Sequence, residues 1–296
     1  MSPSSITVFG NIFVDIKGVS TKAIRKNTKN QGSVDIQYGG VARNVATNLG
    51  ILGSRSRLVA ACNEGAIGDT VLARLREAGV DTEHVKRFAS GGMGTWLAIL
   101  DPDGELVASV SEQPVGAHQE DAMLGHLADV LADTAMVALD VCVSRTVNER
   151  LIAACKSLRI PVYGVVGNLA ALLQHVDSIS DLTALVCNQD EASALTQVPD
   201  VGPHNGEQVL KLLSGITGGS GIVTLAERGC LIYQHDVPAY THLTVPRAVV
   251  LDSTGAGDAF FAGLLHGLAS GDSFTEAAKT ASSVAAQVVG MTGNTL

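Results

Sequence analysis

Six short runs of mostly β-branched or aliphatic residues recur along this chain, and their alternation with helical patterns constrains the fold more than any other feature. The runs are Thr7–Phe9, Arg57–Ala61, Ala135–Leu139, Val162–Val166, Ala184–Cys187 and Ile222–Leu225. Such short runs predict strands that are buried on both faces of a parallel sheet. Between them, apolar residues return at i+4 spacing, as in Val41, Val45 and Leu49. The pattern predicts a layered α/β fold with a mostly parallel central sheet flanked by helices.

Two regions break this rhythm, because residues 11–38 and 93–111 alternate in the manner of strands with one solvated face. In the second region, the apolar stretch Trp96–Leu100 is followed by Asp101-Pro-Asp-Gly, a strong turn signal. The two pieces come from distant parts of the chain, so they do not form a tandem domain. We therefore predict a small β-sheet lid inserted into a single domain that spans residues 1–296.

The lid also predicts a mode of association. Its strands carry apolar residues that we expect to be exposed, such as Ile12, Val14 and Trp96. Edge strands of this kind invite pairing with a second copy of the same chain. We therefore expect a homodimer that forms through the lid.

Charge and cysteine content exclude several function classes. With 29 acidic and 20 basic residues the net charge is −9, so the chain lacks the basic footprint that nucleic-acid binding requires. Its five cysteines have no CxxC spacing, which indicates reduced thiols and argues against a metal cluster or a disulfide framework. No apolar run approaches the ~20 residues of a membrane span, and no signal peptide is visible at the N-terminus. We expect a cytoplasmic protein with neither a membrane nor a nucleic acid as partner.

The segment from Leu251 to Gly263 carries the clearest chemical signal. Gly255 and Gly257 permit close ligand approach, and a helical pattern follows them, so free amide groups at the helix N-terminus should bind an anion. Asp258 would repel that anion unless it accepts a proton from a hydroxyl during phosphoryl transfer. A P-loop is excluded because the chain has no Gly-Lys pair, and the third glycine of a dinucleotide fingerprint would fall at Phe260.

Asp258 has a simpler interpretation as a helix cap. From Gly-Ala-Gly-Asp alone the two interpretations are evenly matched. The longer string Asp-Ser-Thr-Gly-Ala-Gly-Asp, which starts at Asp252 and runs into an aromatic helix start, favours the catalytic one.

At this string the chain resembles the PfkB carbohydrate kinase family, which has a ribokinase-like fold. Four further segments match family motifs in the right order, so the resemblance covers nearly the whole chain. They are Gly10–Asp15 in the opening strand, the Gly-Gly-x-x-x-Asn signature Gly39–Asn44, the Asn-x-x-Glu motif in Cys187–Glu191, and Thr224–Gly229, which matches the segment along the nucleotide.

The resemblance implies ATP-dependent phosphorylation of a primary hydroxyl on a sugar or nucleoside, with Asp258 as the base and Gly255, Ala256 and Gly257 as the anion hole. The substrate-binding positions it implies are Asn11, Asp15, Gly39, Gly40, Asn44 and Asp140. The nucleotide-binding positions are Asn188, Thr224, Arg228, Gly229 and Thr254, and capping a helix is a rival role for Asn188. Glu191 matches the residue that helps to place Mg²⁺ through water, and Asp252 matches the K⁺ site of potassium-activated members.

The chain departs from the family pattern at three places. Asn11 stands where the family often has an acid, Ala226 stands where glycine is common, and Val141–Ser144 replaces a segment typical of the pseudouridine-kinase branch. The Gly-Gly-Val-Ala-Arg-Asn stretch is most similar to that branch, while ribose, fructose or a related ketose, and nucleosides in general remain candidate substrates. A non-catalytic relative that binds the same ligands is the alternative function, and ADP release with a candidate substrate would distinguish the two.

Overall fold

A computed structural model of the chain describes residues 5–235, 237, 239–245, 250–291 and 293–296. Within these residues no helix is both long and apolar enough to cross a membrane. The strands are β1 (Ser5–Phe9), β2 (Phe13–Ser20), β3 (Gly32–Gly39), β4 (Ser56–Asn63), β5 (Val80–Asp81), β6 (Val85–Phe88), β7 (Gly94–Leu100), β8 (Leu106–Glu112), β9 (Thr134–Asp140), β10 (Val162–Val165), β11 (Ala184–Asn188), β12 (Ser220–Thr224), β13 (Cys230–Tyr233) and β14 (Thr241–Leu243).

The helices alternate with the central strands, as the i+4 patterns predict. They are α1 (Val41–Ile51), α2 (Ala66–Glu77), α3 (Gly116–Leu124), α4 (Leu127–Leu131), α5 (Arg145–Leu158), α6 (Leu169–Leu172), α7 (Gln189–Thr196), α8 (Gly206–Thr217), α9 (Ala256–Ala269) and α10 (Phe274–Val288). Two short 3₁₀ segments, Val176–Ile179 and Ala226–Arg228, complete the regular structure of the described residues.

The central sheet confirms the predicted α/β architecture. Its strand order is β14-β13-β12-β11-β10-β9-β1-β4-β5, and all six apolar runs form adjacent parallel strands within it. Apolar residues from both faces of the sheet pack into two large clusters, one against α1, α9 and α10 and the other against α3, α5 and α8. The sequence missed β5, β6, β13 and β14, which are short strands at the two edges of the sheet.

The lid is a separate four-stranded sheet in the order β3-β2-β7-β8. Strands β2 and β3 pair antiparallel, β2 and β7 pair parallel, and β7 and β8 form the hairpin that the turn signal predicts. In that turn, Asp101 Oδ1 accepts hydrogen bonds from the amides of Asp103 and Glu105, each at 2.9 Å. Because β2 lies in the middle, Asp15 sits between Gln37 and Trp96 in register.

The exposed apolar surface of the lid differs from the one we expected. The prediction is wrong for Ile12 and Val14, which are 0% and 3% exposed because they pack into the core beneath the lid, and Trp96 is partly buried. Other apolar lid residues are exposed instead: Val34, Ile36, Leu97, Ile99, Leu106, Val107 and Val110. The sheet therefore has a solvated apolar surface, although different residues form it.

Candidate active site

The predicted site residues converge where the carboxyl ends of the central strands meet the first turns of α1 and α9. Asp140 ends β9, Asn188 ends β11 and Thr224 ends β12. Asn44 lies in the first turn of α1, and Asp258 lies in the first turn of α9. In open α/β sheets, ligands bind at this end of the strands.

Helix α9 begins in the way that the glycine segment predicts. Its N-cap is Gly255, which has a left-handed backbone (φ 80°) and provides no side-chain cap. The first helical amide bond runs from Ala259 to the Gly255 carbonyl at 2.9 Å, which leaves the amides of Gly257 and Asp258 without an acceptor in the helix. The Ala256 amide is partly engaged, since it donates to the Ser253 carbonyl at 3.3 Å. These amides and the positive end of the helix dipole suit an anion.

The second glycine has a different role from the first. Of the two glycines only Gly255 adopts a positive φ, whereas Gly257 has an ordinary helical backbone. A Cβ at Gly257 would meet no atom within 4 Å, while a Cβ at Gly255 would overlap the Asn294 carbonyl. The space above Gly257 is therefore open to a ligand.

Asp258 is held by a partner from another helix. Its Oδ2 accepts a hydrogen bond of 2.6 Å from Nδ2 of Asn44. Because Gly255 occupies the N-cap and Asn44 binds the Asp258 carboxylate, Asp258 is not the residue that caps α9. The other amide atom, Asn44 Oδ1, is buried and has no hydrogen-bond partner among the described residues. It is ready to accept a hydrogen bond from a ligand hydroxyl.

The surroundings of Asp258 displace its pKa toward neutral pH. Burial raises its pKa to about 7, and the neighbouring carboxylates of Asp140 and Glu191 add to the rise, while the Asn44 hydrogen bond and the Arg43 guanidinium oppose it. A general base is most effective when its pKa lies near the working pH.

Asp140 is the second buried carboxylate of the site. It is 6% exposed, and burial raises its pKa to about 6 against hydrogen bonds from Cys142 and Gly167. Its Oδ1 accepts the Cys142 amide at 3.1 Å. A Cβ at Gly10 would come within 2.8 Å of the Asp140 Cβ, so a glycine is needed where β1 ends beside β9.

Asp15 lies on lid strand β2 and is close enough to Arg43 for the two charges to interact. Burial raises its pKa, and Lys17 and Arg43 counteract the rise. Gly39 packs against its carboxylate so closely that a Cβ there would overlap Asp15 Oδ2. Gly40 has φ 94°, and a Cβ on it would overlap the Asn11 carbonyl. Because neither glycine has a Cβ, lid strand β2, the start of α1 and the segment after β1 can pack against one another here.

The structure adds Gln119, a residue that the sequence did not identify, as a partner of Asn11. Asn11 is buried, and its Oδ1 accepts a hydrogen bond of 2.8 Å from Nε2 of Gln119 in α3. No local motif marks Gln119, because the two residues are 108 positions apart. Asn11 is thereby fixed in orientation at the edge of the site.

The residues predicted to bind the nucleotide and Mg²⁺ hydrogen-bond to one another or to neighbouring residues. Asn188 Oδ1 accepts the amides of Asp190 and Glu191 at 2.9 Å, and Glu191 Oε2 accepts the Asn188 amide at 2.8 Å. This capping box bears out capping as a role of Asn188. Thr224 Oγ1 makes a long bond of 3.5 Å to the Cys187 carbonyl, and exposed Arg228 donates to Gln189 Oε1 at 2.6 Å.

The turn after β12 contains a strained residue. Ala226, which stands where the family commonly has glycine, has φ 52°. This left-handed angle is one that glycine adopts without cost and that other residues adopt rarely. Gly229 closes the turn at φ 89°, and a Cβ there would overlap the Leu243 carbonyl.

The carboxylates fit a divalent cation that is shared with phosphates. No group of three or more His, Cys, Asp or Glu side chains in the described part of the chain could hold a metal ion alone. Mg²⁺ keeps several waters and commonly binds through one or two carboxylates plus phosphate oxygens. The pKa of Glu191 is raised by burial and by Asp190 and Asp140, so a nearby cation would relieve this excess of negative charge. Asp252 differs, because the amide of Thr254 donates to its Oδ1 at 2.8 Å and lowers its pKa.

Comparison with known proteins gives consistent similarities. The family model for "pfkB family carbohydrate kinase" matches residues 3–296. A guanosine-inosine kinase from Exiguobacterium acetylicum is 35% identical over 99% of this chain and 97% of its own, and a pseudouridine kinase from Escherichia coli is 22% identical over 93% and 87%. The structure of Arabidopsis thaliana ribokinase with ribose and ATP superposes with a TM-score of 0.83 at 22% identity, covering 98% of this chain and 94% of that one.

Proposed function

Because this chain belongs to the pfkB family of carbohydrate kinases, which transfer a phosphoryl group to an alcohol of a sugar or nucleoside, we propose that it phosphorylates the primary hydroxyl of a nucleoside with ATP. The single observation that carries the catalytic part is the Asn44–Asp258 hydrogen bond of 2.6 Å at the head of α9. The nucleoside part is supported by the similarity to a guanosine-inosine kinase along nearly the full length of both chains.

Asp258 is the proposed base. With a pKa of about 7, a useful fraction of its carboxylate is ionised at neutral pH and can accept the proton of the primary hydroxyl. Asn44 holds the carboxylate in one orientation through its Nδ2. The attacking oxygen would then lie between Asp258 and the open space above Gly257.

The amides at the head of α9 are the proposed anion hole. Those of Gly257 and Asp258 lack helical acceptors, and the Ala256 amide is weakly engaged. They would donate to the oxygens of the transferring phosphoryl group, whose charge is spread during transfer. Thr254 is exposed beside them and could reach the same phosphates.

The acceptor side is proposed to recognise hydroxyl groups of the sugar ring. Asp15 accepts such bonds as a carboxylate, and the unpaired Asn44 Oδ1 accepts another. Asp140, Asn11, Gly39 and Gly40 form the rest of this wall. An acceptor without its hydroxyl donor would be left unsatisfied, so the wall should discriminate against deoxy analogues.

The nucleotide is proposed to lie along Asn188, Thr224, Arg228 and Gly229. Glu191 would help to hold Mg²⁺, which would supply positive charge against the negative charge that develops on transfer. Asp252 remains our proposal for a monovalent-cation site. The lid would close over the acceptor side and exclude water, which competes as a phosphoryl acceptor.

A panel of acceptors tests the proposal. Guanosine, inosine, pseudouridine, ribose and fructose are each titrated by thermal shift and then assayed for ADP release with ATP and Mg²⁺. A nucleoside at 100 times its Kd should stabilise the protein by ~2.7 kcal/mol, and ADP release should accompany it. Stabilisation without ADP release would favour the non-catalytic alternative, and release with ribose or fructose alone would overturn the choice of a nucleoside.

The exposed apolar residues of the lid support a second proposal, a homodimer formed through this sheet. Val110 is 68% exposed on strand β8, which lies at the edge of the lid. Light scattering at tens of micromolar should give twice the mass of the chain, and Val110→Lys should shift the protein toward monomer. The control Leu158→Lys, at a residue that is 57% exposed on α5 away from the lid, should leave the mass unchanged. A wild-type monomer would contradict the proposal.

A further inference from the structure

Arg43 belongs to the Gly-Gly-x-x-Arg-Asn stretch, yet no role for it follows from the motif. It lies in the first turn of α1 and is only 9% exposed. Its Nη2 donates to the carbonyl of Tyr38 and, at 3.0 Å, to Oδ1 of Asn294. Asn294 Nδ2 in turn donates to the same Tyr38 carbonyl at 2.9 Å. The three residues form a closed triangle of hydrogen bonds, in which Arg43 and Asn294 are 251 positions apart.

Each corner of the triangle touches a different part of the site. Tyr38 directly precedes the Gly39–Gly40 pair, where lid strand β3 joins α1. The carbonyl of Asn294 lies so close to Gly255 that a Cβ on that glycine would overlap it. The triangle therefore spans from the base of the lid to the N-cap of the phosphate-binding helix.

The segment 294–296 is also anchored independently of Arg43. The amide of Leu296 donates to Asn48 Oδ1 at 2.9 Å, one helical turn beyond Arg43. Leu296 itself packs against Ala259, Val284 and Val288 of α9 and α10. The segment is thus held between α1 and α9 at two places, and only the Asn294 end touches the lid base and the N-cap.

Arg43 also supplies charge between the two sides of the site. Burial lowers its pKa to about 10, with a smaller contribution from the neighbouring Arg74, while the carboxylates of Asp258 and Asp15 favour its charged form. It remains a cation at neutral pH. It forms no ion pair within 4.0 Å in the described part of the chain, so it acts on both carboxylates through space. A lysine would keep the charge but would replace the planar NH₂ group, which donates to both acceptors through Nη2, with a flexible ammonium.

From these contacts we infer that Arg43 and Asn294 are positioning residues that tie the base of the lid at Tyr38 to the phosphate cradle at Gly255, so that closure of the lid on the acceptor sets the cradle for ATP. The inference rests on the proposed kinase function. The triangle borders a cavity of about 470 Å³ between α1, α2 and β3, which leaves space for the Tyr38 carbonyl to move. By linkage, ATP should then strengthen acceptor binding by the same factor as the acceptor strengthens ATP binding.

The test measures this coupling by calorimetry. Inosine is titrated into the protein with and without a non-hydrolysable ATP analogue plus Mg²⁺. For the wild type we expect the inosine Kd to fall by at least ~5-fold when the analogue is present. Asn294→Ala should reduce this ratio below 2-fold, because it removes both side-chain bonds of the triangle that Asn294 makes. Asn48→Ala, the matched control, releases the same segment at its other anchor and should keep the wild-type ratio.

A second readout separates the charge of Arg43 from its bonds. The fall of kcat/KM at acid pH should move to higher pH in Arg43→Met. The pKa of Asp258 should rise there, because the cation that lowers it is gone while the carboxylates of Asp140 and Glu191 remain. Arg43→Lys should return this fall to its wild-type pH but should not restore the coupling ratio. Asn294→Ala should leave the fall at its wild-type pH.

The outcomes distinguish this inference from the proposed function. If the wild type turns over none of the three nucleosides of the panel, the nucleoside proposal fails, and the calorimetry is repeated with the sugar of the panel that releases ADP. If the wild type is active but shows no coupling, or if Asn294→Ala and Asn48→Ala change the ratio equally, the inference is overturned while the kinase function stands.

Discussion

The proposed acceptor side and the proposed nucleotide side lie at the same end of the central strands. Their polar side chains differ in how fully they are hydrogen-bonded. On the acceptor side, Asn44 Oδ1 is buried without a partner, and the pKa of Asp258 is displaced to about 7. On the nucleotide side, Asn188 and Glu191 complete each other in a capping box, and Arg228 binds Gln189 at the surface. A side-chain acceptor is thus left unsatisfied on the proposed acceptor side, whereas the side chains on the proposed nucleotide side hydrogen-bond to one another or to their neighbours. The comparison teaches that substitutions on the acceptor side should affect catalysis, while those on the nucleotide side should affect stability first.

The largest effect is expected from Asp258→Asn, which preserves shape and removes the base. Turnover should fall by ~10²–10⁴-fold with little change in acceptor affinity. The wild-type kcat/KM should fall as pH drops through about 7, because the carboxylate becomes protonated. Unchanged turnover in the variant would remove Asp258 from the mechanism.

The same variant should have the opposite effect on stability. The folded-state pKa of Asp258 lies above its ordinary value of 3.8, so the unfolded chain releases this proton more readily than the folded protein does. The ionised carboxylate therefore lowers the free energy of unfolding, and this effect grows from about pH 4 to pH 7. Asp258→Asn should therefore raise Tm at pH 8 and change it little at pH 4. A lower Tm at pH 8 would show that the Asn44 bond outweighs the burial of the charge.

A slightly smaller loss should follow from Gly257→Val. Because a Cβ at Gly257 meets no protein atom within 4 Å, only a bound phosphate should clash with the new side chain. ATP turnover should fall by at least ~10²-fold, as for the loss of one oxyanion donor. The matched control is Gly215→Val in α8, where a Cβ also meets nothing within 4 Å. Equal kinetics in the two variants would mean that no phosphate approaches Gly257.

Substitution of Asp15 should have an intermediate effect that identifies a hydroxyl. Asp15→Ala should cost ~1–3 kcal/mol in kcat/KM, or more because the partner is charged, with nucleotide affinity nearly intact. A 2′- or 3′-deoxy nucleoside should lose a comparable free energy with the wild type but little more with the variant. If the two penalties simply add, Asp15 does not contact that hydroxyl.

The smallest effect is expected on the nucleotide side, where Asn188→Ala removes a helix cap. The free energy of unfolding should fall by ~0.5–2 kcal/mol. The KM for ATP should rise only modestly, because Asn188 Oδ1 is already engaged by the amides of Asp190 and Glu191 and only the rest of the side chain is left to contact the nucleotide. Ser273→Ala provides a matched control, because Ser273 caps α10 through the amide of Glu276 at 3.3 Å, at the start of another helix. A large rise in the KM for ATP in Asn188→Ala alone would break the comparison between the two sides.

Much of this could be predicted from sequence because the decisive signals are local. Apolar runs fixed the six parallel strands, and a turn signal fixed the β7–β8 hairpin. The site residues near the strand ends followed from short motifs. The Gln119–Asn11 bond and the Arg43–Asn294 bond could not be predicted, because they join residues 108 and 251 positions apart. The apolar lid residues were misassigned, because Ile12 and Val14 pack into the core and the alternation alone does not say which side of the sheet is covered.

The strand order of the lid affects the order in which parts of the protein fold. Strands β2 and β7 pair in parallel, although β3, α1, β4, α2, β5 and β6 lie between them in the chain. Closing so long a loop costs entropy before any pairing can compensate, so this sheet should assemble late in folding. Until then β2 and β3 present apolar side chains and unpaired edges, which favour aggregation. A nascent chain would therefore carry its acceptor residues well before it had a wall to hold the acceptor, and chaperone contact would be most useful in that interval.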